Sequence, residues 1–411
     1  MAKTFGMKYE TRLIWVLGIT FGFVFFDRNA ANFMMPFIAP DLGLSNQQVG
    51  LVASALSFTW AIGGFLGGLW SDRSAHRKTL LLTAVAAFSL CSFLSGLAAS
   101  FAALLASRLL MGLAEGPILP VSQSLVAFAS ADTRRGFNMG VMQNFGSNLL
   151  GSFAAPLVLV AIAGAWHWRT AFFVAGIPGL IMAGLIARTV REPAVQSDAA
   201  SGGQRAVHPL EMLRHRNIWL CILMAIFMVA WMVLGWAFLP LYYVKIRAYT
   251  SGQMSVMMSV LGLSAAFFSF VVPGLSDRIG RRPIVISFNL IGLLVPLAVL
   301  YFNGPPYLLA LLVFLGWSAS GTFPLFMSTI PAETIPASHV AGAVGLVVGV
   351  GEVLGGVSAP AIAGWAADRY GLRMPMLLAA ACAIAGTLLA LLLTETAPNS
   401  LARRNHTAPA N

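Results

Sequence analysis

The feature that most constrains this chain is a succession of long apolar segments. Each is about 20 residues or longer, the length that an α-helix needs to cross the hydrocarbon core of a bilayer. The segments cover residues 12–35, 47–70, 78–98, 101–129, 136–163, 169–189, 217–243, 252–275, 283–302, 305–331, 340–366 and 373–394. We therefore predict an all-α membrane protein with twelve transmembrane helices in contact with the lipid bilayer.

Composition supports this prediction and excludes other classes of protein. Hydrophobic residues make up 58% of the chain and charged residues 9%, too few to cover the surface of a water-soluble fold. The net charge of +11 does not indicate nucleic-acid binding, because the basic residues cluster in short gaps between apolar segments. Those gaps instead carry information about topology.

The distribution of Lys and Arg predicts the orientation in the membrane. Cytoplasmic loops retain positive charge during insertion, and an inside N-terminus places most of the 25 Lys and Arg residues in cytoplasmic loops. The basic residues then left outside are Arg169, Lys245, Arg247, Arg369 and Arg373. We expect a multi-pass protein of the inner (plasma) membrane with both termini in the cytoplasm.

The chain contains an internal repeat. Pro36 and Pro240 stand 204 positions apart. The same offset relates Gly112 to Gly316, Pro120 to Pro324, Gly151 to Gly355, Pro156 to Pro360 and Arg169 to Arg373. Parallel repeats of six helices are typical of transporters whose halves rock about a central site. We predict two pseudo-symmetric six-helix bundles, 1–189 and 217–411, joined by a cytoplasmic linker, 190–216.

A charged loop motif occurs once in each predicted half. Residues 68–78 read GLWSDRSAHRK after the second helix, and residues 274–282 read GLSDRIGRR after the eighth. Both resemble the G-x-x-x-D-R-x-G-R-R motif of the major facilitator superfamily, and that resemblance covers the whole chain. We interpret Asp72, Arg73, Asp277, Arg278 and Arg281 as a charge latch that breaks when the halves re-orient. The alternative is a basic loop that only sets topology.

Five charged residues lie away from the ends of the apolar segments, where each one is costly and thus a functional candidate. They are Asp27, Arg28, Arg108, Glu115 and Glu352. Arg108 and Glu115 are seven positions apart, so they share one helix face about 10 Å apart along the axis. The 204-residue register pairs Asp27, Arg108 and Glu115 with Trp231, Leu312 and Ala319, so the charge is concentrated in the first half. Mutual neutralisation of Asp27 and Arg28 is the structural alternative.

Three motifs resemble one branch of the superfamily, the anion:cation symporters. They are Phe26-Asp27-Arg28, the run from Ser107 to Pro117 (SRLLMGLAEGP), and Trp168-Arg-Thr-Ala-Phe172. This resemblance implies proton-coupled uptake, with Arg28 binding a substrate carboxylate, Asp27 and Glu115 carrying protons, and Arg108 tuning Glu115. The chemistry agrees, because Arg presents a permanently charged fork that matches a carboxylate.

Departures from that branch bear on the substrate. Two positions that carry Tyr in sugar-acid carriers are Phe25 and Ile62 here, next to Trp60, which indicates an aromatic or short aliphatic carboxylate. Asn144 matches a family Asn and is predicted either to bind substrate or to cap a kink. Glu352 replaces the usual Asn of the eleventh helix, as a second proton site or a partner for a cationic substrate group. Arg28, Trp60, Asn144 and Glu352 are the predicted substrate-binding residues.

We accordingly predict a secondary active transporter for a small organic anion. No metalloprotease, nucleophile-elbow or nucleotide-binding motif is found, so the sequence does not indicate an enzyme. No cofactor or metal is expected beyond the proton as coupling ion, and the monomer is the expected functional unit. The alternative function is a proton-coupled antiporter that exports a drug or metabolite, although the segment around Pro156 lacks three glycines of the usual antiporter motif.

Overall fold

The structure, a computed structural model, describes residues 7–73, 76–130, 134–192, 213–336 and 340–397. Within these ranges every regular element is a helix, and no strand is present. The helices before the predicted linker are α1 Met7–Arg28, α2 Ala30–Asp41, α3 Asn46–Arg73, α4 Arg77–Gly96, α5 Phe101–Glu115, α6 Ile118–Ala129, α7 Arg135–Gly146, α8 Ala155–Ala165 and α9 Trp168–Thr189.

The remaining α-helices of the described residues come after the linker. They are α10 Arg216–Lys245, α11 Ser251–Ile279, α12 Arg281–Ile291, α13 Leu294–Tyr301, α14 Pro306–Trp317, α15 Ile330–Thr334, α16 Val340–Val350, α17 Ser358–Tyr370 and α18 Met374–Leu391. Combined across their internal breaks, the described helices form 12 candidate membrane spans by length and composition. The predicted fold class, an all-helical membrane protein with twelve spans, is confirmed.

Two spans are interrupted next to charged residues that lie within them. The first span breaks at Asn29, so α1 ends at Arg28 and α2 begins at Ala30. The fourth span breaks after Glu115, because Pro117 has no amide hydrogen to continue the α-helical ladder. The apolar segments 12–35 and 101–129 each predict a single uninterrupted helix. The breaks place Arg28 and Glu115 each at the carboxyl end of a helix.

Wider π-helical turns occur at equivalent positions of the repeat. One covers Ser147–Ala154 between α7 and α8, and the other covers Gly351–Val357 between α16 and α17. Each contains a glycine that lies against a neighbouring helix. A Cβ on Gly151 would stand 2.3 Å from Phe25 Cβ, and one on Gly355 would stand 2.4 Å from the Ile226 carbonyl oxygen. The lack of a side chain therefore permits both close approaches.

The structure divides into two compact units. The first comprises Met1–Ser197 with Trp236–Leu263, and the second comprises Asp198–Gly235 with Ser264–Asn411. Within the first unit, the Ser259 hydroxyl donates to the Phe153 carbonyl oxygen at 2.9 Å. The predicted division into halves 1–189 and 217–411 stays a prediction.

Candidate functional site

The break in the first span positions two adjacent charges differently. Asp27 is completely buried, whereas the neighbouring Arg28 is partly exposed. At the break itself, the Asn29 side-chain amide donates to the Gly151 carbonyl oxygen at 3.2 Å. Among the described residues, Asp27 and Arg28 form no ion pair with each other, so mutual neutralisation by a direct salt bridge does not describe them.

The partner of Asp27 is a serine on α4. The Ser92 hydroxyl lies 2.8 Å from Asp27 Oδ1 and also 2.8 Å from the carbonyl oxygen of Phe172 on α9. Within the described part of the chain, Asp27 Oδ2 is buried without a hydrogen-bond partner. The carboxyl group therefore depends on a single hydroxyl for its hydrogen bonding.

Arg108 is held by neutral groups. Its side chain is 1% exposed, and Nη2 donates to the Ser95 hydroxyl. Its guanidinium carbon lies 4.8 Å from the centre of the Phe172 ring, within the range of cation–π attraction. Nε and Nη1 have no hydrogen-bond partner among the described residues. Arg108 thus contributes a fixed positive charge close to two buried acids, Asp27 and Glu115.

Glu115 ends α5 and is 1% exposed. Within the described ranges neither of its carboxyl oxygens has a hydrogen-bond partner. The charges that act on it belong to Arg28, Asp27 and Arg108. Because a buried carboxylate without donors is costly, this position suits a group that takes up and releases a proton.

Arg28 faces aromatic rings. Its guanidinium carbon lies 4.8 Å from the centre of the Trp60 ring and 5.5 Å from that of Phe25. The described residues offer it no hydrogen bond and no carboxylate within ion-pair distance. The structure thus brings together Asp27, Arg28, Trp60, Arg108 and Glu115 in the first unit, as a cluster of charges with an aromatic border.

The positions of the other two predicted substrate-binding residues, Asn144 and Glu352, do not indicate what they bind. The Asn144 amide donates to the Gly140 carbonyl oxygen at 3.1 Å, a bond to its own helix shortly before the π-helical turn. Glu352 is in the second unit, in the first turn of the π-helical segment Gly351–Val357. Both assignments to substrate binding stay predictions.

The second unit has apolar packing at the register partner of Asp27. Trp231 is 1% exposed and its ring centre lies 4.6 Å from that of Trp317. A Cβ on Gly292 would stand 3.0 Å from Ala319 Cβ, the register partner of Glu115, and 3.6 Å from Trp231. The two units therefore differ in chemistry at equivalent places, as the sequence register predicts.

The second copy of the loop motif forms an ion-pair cluster. Arg281 pairs with Asp277 and, through Nη2 at 2.9 Å, with Glu333. Arg278 is exposed and makes no ion pair within the described residues. The side chains of Asp72 and Arg73 lie outside the described residues. The latch assignment stays a prediction for all five residues.

After each copy of the motif, the next helix is capped by a glutamate from outside the motif. Glu395 accepts from the backbone amides of Arg281 at 2.8 Å and Arg282 at 3.2 Å, at the start of α12. Both carboxylate oxygens of Glu192 lie 3.1 Å from the amide of Lys78, in the first turn of α4. Carboxylates are favoured there because helix N-termini present free amides and positive potential.

Several residues of these clusters were missed by the sequence analysis. Ser92 and Ser95 bond to Asp27 and Arg108, and Glu333 and Glu395 bond to the second loop motif. A spacing of three relates Ser89, Ser92 and Ser95 within an apolar segment, which marks a polar stripe on one helix face. That stripe was the available signal for the two serines.

Comparisons with known proteins agree with the fold and with the motifs. Residues 17–273 and 220–410 match the sequence profile of the Major Facilitator Superfamily. The chain is 30% identical to the 3-(3-hydroxy-phenyl)propionate transporter of Escherichia coli (strain K12), over 86% of this chain and 87% of that protein. It is 32% identical to the hexuronate transporter of Bacillus subtilis (strain 168), over 64% of each chain.

A solved structure supports the architecture. The inward-facing, unoccupied crystal structure of a bacterial homologue of the human lysosomal transporter Spinster matches with a TM-score of 0.76 at 17% sequence identity, over 98% of this chain and 100% of that one. The relatives support the anion:cation symporter branch indicated by the motifs. The chain belongs to the Major Facilitator Superfamily and is a multi-pass membrane transporter, not an enzyme.

Proposed function

We propose that this transporter carries out proton-coupled uptake of a small organic anion by alternating access between the halves 1–189 and 217–411. The substrate is a carboxylate with an aromatic or short aliphatic body rather than a sugar acid. The proposed location of the protein is the inner membrane, with both termini in the cytoplasm. The monomer is the proposed functional unit. The proton is the coupling ion, and no cofactor takes part.

The observation that carries this proposal is the environment of Arg28. Its permanent charge is partly exposed and is bordered by Trp60 and Phe25, while no carboxylate of the described residues pairs with it. A guanidinium kept in a membrane span without a partner anion is suited to an anion that arrives and leaves. A substrate carboxylate is the anion that its fork matches best.

The aromatic border supports the proposed class of substrate. The rings of Trp60 and Phe25, which lie within cation–π range of Arg28, offer apolar faces and no hydroxyl groups. A polyhydroxylated acid would leave several hydroxyls without partners there, which is costly when water is excluded. The similarity to the 3-(3-hydroxy-phenyl)propionate transporter is in keeping with a ring-bearing acid.

Coupling follows from the charges around Glu115. The positive charge of Arg28 acts on the Glu115 carboxyl, which is buried and has no hydrogen-bond donor among the described residues. When a substrate carboxylate neutralises Arg28, the ionised form of Glu115 loses that stabilisation. Proton binding and anion binding therefore favour each other, which is the thermodynamic requirement for symport. Asp27 is the second proposed proton carrier.

The test is uptake into proteoliposomes with an inward proton gradient. The probes are radiolabelled 3-phenylpropionate, benzoate and glucuronate, offered to wild type, Arg28→Ala, Asp27→Asn and Glu115→Gln. Accumulation of the first two acids above that of glucuronate, lost in Arg28→Ala, is the expected result. Arg188→Ala is the matched control, because Arg188 is exposed at the end of α9.

Three results would contradict the proposal. Equal accumulation in wild type and Arg28→Ala would remove the carboxylate clamp. Gradient-driven accumulation that persists in both Asp27→Asn and Glu115→Gln would remove the coupling assignment. Gradient-driven efflux of these acids without uptake would favour the exporter.

A further inference from the structure

Helices α4 and α9 approach each other closely beside Asp27. A Cβ on Gly176 would stand 3.2 Å from Ser92 Cβ, and one on Gly179 would stand 2.0 Å from the Ser89 hydroxyl oxygen. Glycines on α9 therefore face serines on α4. This approach is what brings the Ser92 hydroxyl within hydrogen-bonding distance of the α9 backbone.

The number of hydrogens available at Ser92 distinguishes protonated from ionised Asp27. Its oxygen lies 2.8 Å from Asp27 Oδ1 and 2.8 Å from the Phe172 carbonyl oxygen, but a serine hydroxyl has one hydrogen to donate. A carbonyl and a carboxylate both only accept. Both short contacts are hydrogen bonds only if Asp27 is protonated, so that Asp27 donates to Ser92 and Ser92 donates to Phe172.

We infer that Ser92 couples the protonation of Asp27 to helix α9 through a reversal of its hydrogen bond. With Asp27 protonated, the chain of donors runs from Asp27 through Ser92 to the Phe172 carbonyl. When the proton leaves Asp27, the Ser92 hydroxyl turns to donate to the carboxylate. The Phe172 carbonyl then keeps only the bond it accepts within its own helix.

The reversal of the hydrogen bond also affects Arg108, because the Phe172 side chain contacts it. The Arg108 guanidinium carbon lies 4.8 Å from the centre of the Phe172 ring, so a change at the Phe172 backbone acts on the residue that contacts Arg108. The other ionisable groups around Asp27 are Arg108 and Glu115 on α5 and Cys91 on α4. Ser92 is thus a positioning residue, and it acts through Asp27 and Phe172 without touching the substrate.

Ser92 has a specific requirement in the transport cycle. Net uptake requires Asp27 to release its proton, and Ser92 is the only described hydrogen-bond donor to the resulting carboxylate. Exchange of substrate across the membrane needs no proton release. Ser92→Ala is therefore expected to lower gradient-driven uptake of 3-phenylpropionate about fivefold, the effect of one hydrogen bond, while exchange stays within about twofold of wild type.

The matched control is Ser89→Ala. Ser89 is on the same helix, is completely buried and faces α9 as Ser92 does, but its hydroxyl donates to the Val85 carbonyl of its own helix at 3.0 Å. It is expected to keep both activities. In the Asp27→Asn background, Ser92→Ala should have no further effect on either activity. Equal loss of uptake in Ser89→Ala and Ser92→Ala, or equal loss of uptake and exchange in Ser92→Ala, would overturn the inference.

A second measurement does not depend on transport. Infrared difference spectra of the purified protein between low and high pH should contain a protonated carboxyl band that is absent in Asp27→Asn. In Ser92→Ala that band should move to higher wavenumber, because the carboxyl loses a hydrogen bond. An unmoved band would overturn the role of Ser92.

The inference rests on the proposed function, because it requires Asp27 to carry a proton. The two fail in different ways. No Asp27 band, together with full uptake in Asp27→Asn, contradicts the proposed coupling. An Asp27 band that is indifferent to Ser92 contradicts only the inference.

Discussion

Arg169 donates from Nη1 to Asp41 Oδ2 at 2.7 Å, while its Nη2 donates to the carbonyl oxygen of Ala98 at 3.1 Å. The indole of Trp168 donates to the same Asp41 oxygen at 3.0 Å. One carboxylate and one guanidinium therefore join the end of α2, the segment that follows α4 and the start of α9. The register partner of Asp41 in the second half is Lys245, which cannot form this pair with Arg373.

The Asp41 pair is expected to contribute little to stability. Its side chains are 39% and 32% exposed, and solvent-screened ion pairs contribute roughly 0.2–1 kcal/mol in double-mutant cycles. Thermal unfolding of Asp41→Ala, Arg169→Ala and the double variant in detergent measures the coupling. A coupling several times larger would show that the pair is much better shielded than its exposure indicates.

Gly112 is expected to tolerate no side chain. A Cβ there would stand 2.2 Å from Thr59 Oγ1 and 2.4 Å from the Leu56 carbonyl oxygen, so Gly112→Ala must push α5 away from α3. Overpacking of this kind costs roughly 1–3 kcal/mol and would displace Arg108 and Glu115 on the same helix. Unfolding temperature and uptake should both fall.

The control for Gly112 is Gly184→Ala on α9, where a Cβ would meet nothing within 4 Å. Alanine is a better helix former than glycine, so this variant should be as stable as wild type or more stable. Similar losses in the two variants would contradict the steric explanation.

Arg108 is expected to resist replacement by lysine. Lysine keeps the charge but has no planar group to stack on Phe172 while donating to Ser95. Arg108→Lys should lower the unfolding temperature and uptake, and Arg108→Gln should lower both further because it removes the cation that acts on Asp27 and one of the two that act on Glu115. The expected loss is roughly 1–3 kcal/mol for unsatisfied buried groups. Wild-type behaviour of Arg108→Gln would exclude an electrostatic role.

Glu395 and Glu192 are expected to stabilise equivalent helix starts. Gly280 has a φ of 125°, which residues with a side chain rarely adopt. A Cβ there would stand 2.6 Å from Glu395 Oε2. Glu395→Gln and Glu192→Gln should each cost about 1 kcal/mol, as for other helix N-terminal carboxylates. Arg278→Gln is the control, since Arg278 is exposed.

An equivalent side-chain contact lies beside each of the two caps, in the register of the repeat. Lys78 Nζ donates to the Ala187 carbonyl oxygen at 2.8 Å, and Arg282 Nη2 donates to the Leu391 carbonyl oxygen at 2.7 Å. Both donors and both acceptors stand 204 positions apart. Comparable losses are therefore expected for the two glutamate variants, and a loss confined to one of them would show that only one cap stabilises the fold.

The sequence by itself determined the spans and the kinds of residue within them. The predicted segment 47–70 corresponds to the span Asn46–Ser71, and 217–243 to Arg216–Lys245. Span length is a local property, because any helix must be apolar over the thickness of the bilayer. The same reasoning identified Asp27 and Glu115, since a charge in an apolar segment is visible without knowledge of its neighbours.

Only the tertiary structure decided which groups meet. Ser92 bonds to Asp27 across 65 positions, and Arg169 to Asp41 across 128. Such contacts depend on how closely helices approach, and the glycines of α9 set that distance between α4 and α9. At the break between α1 and α2, the Asn29 side-chain amide bonds to the Gly151 carbonyl oxygen across 122 positions, a partner that hydropathy does not reveal. Apolar character along one segment specifies that a helix exists, whereas the partners of its polar groups are specified by the surfaces of other helices.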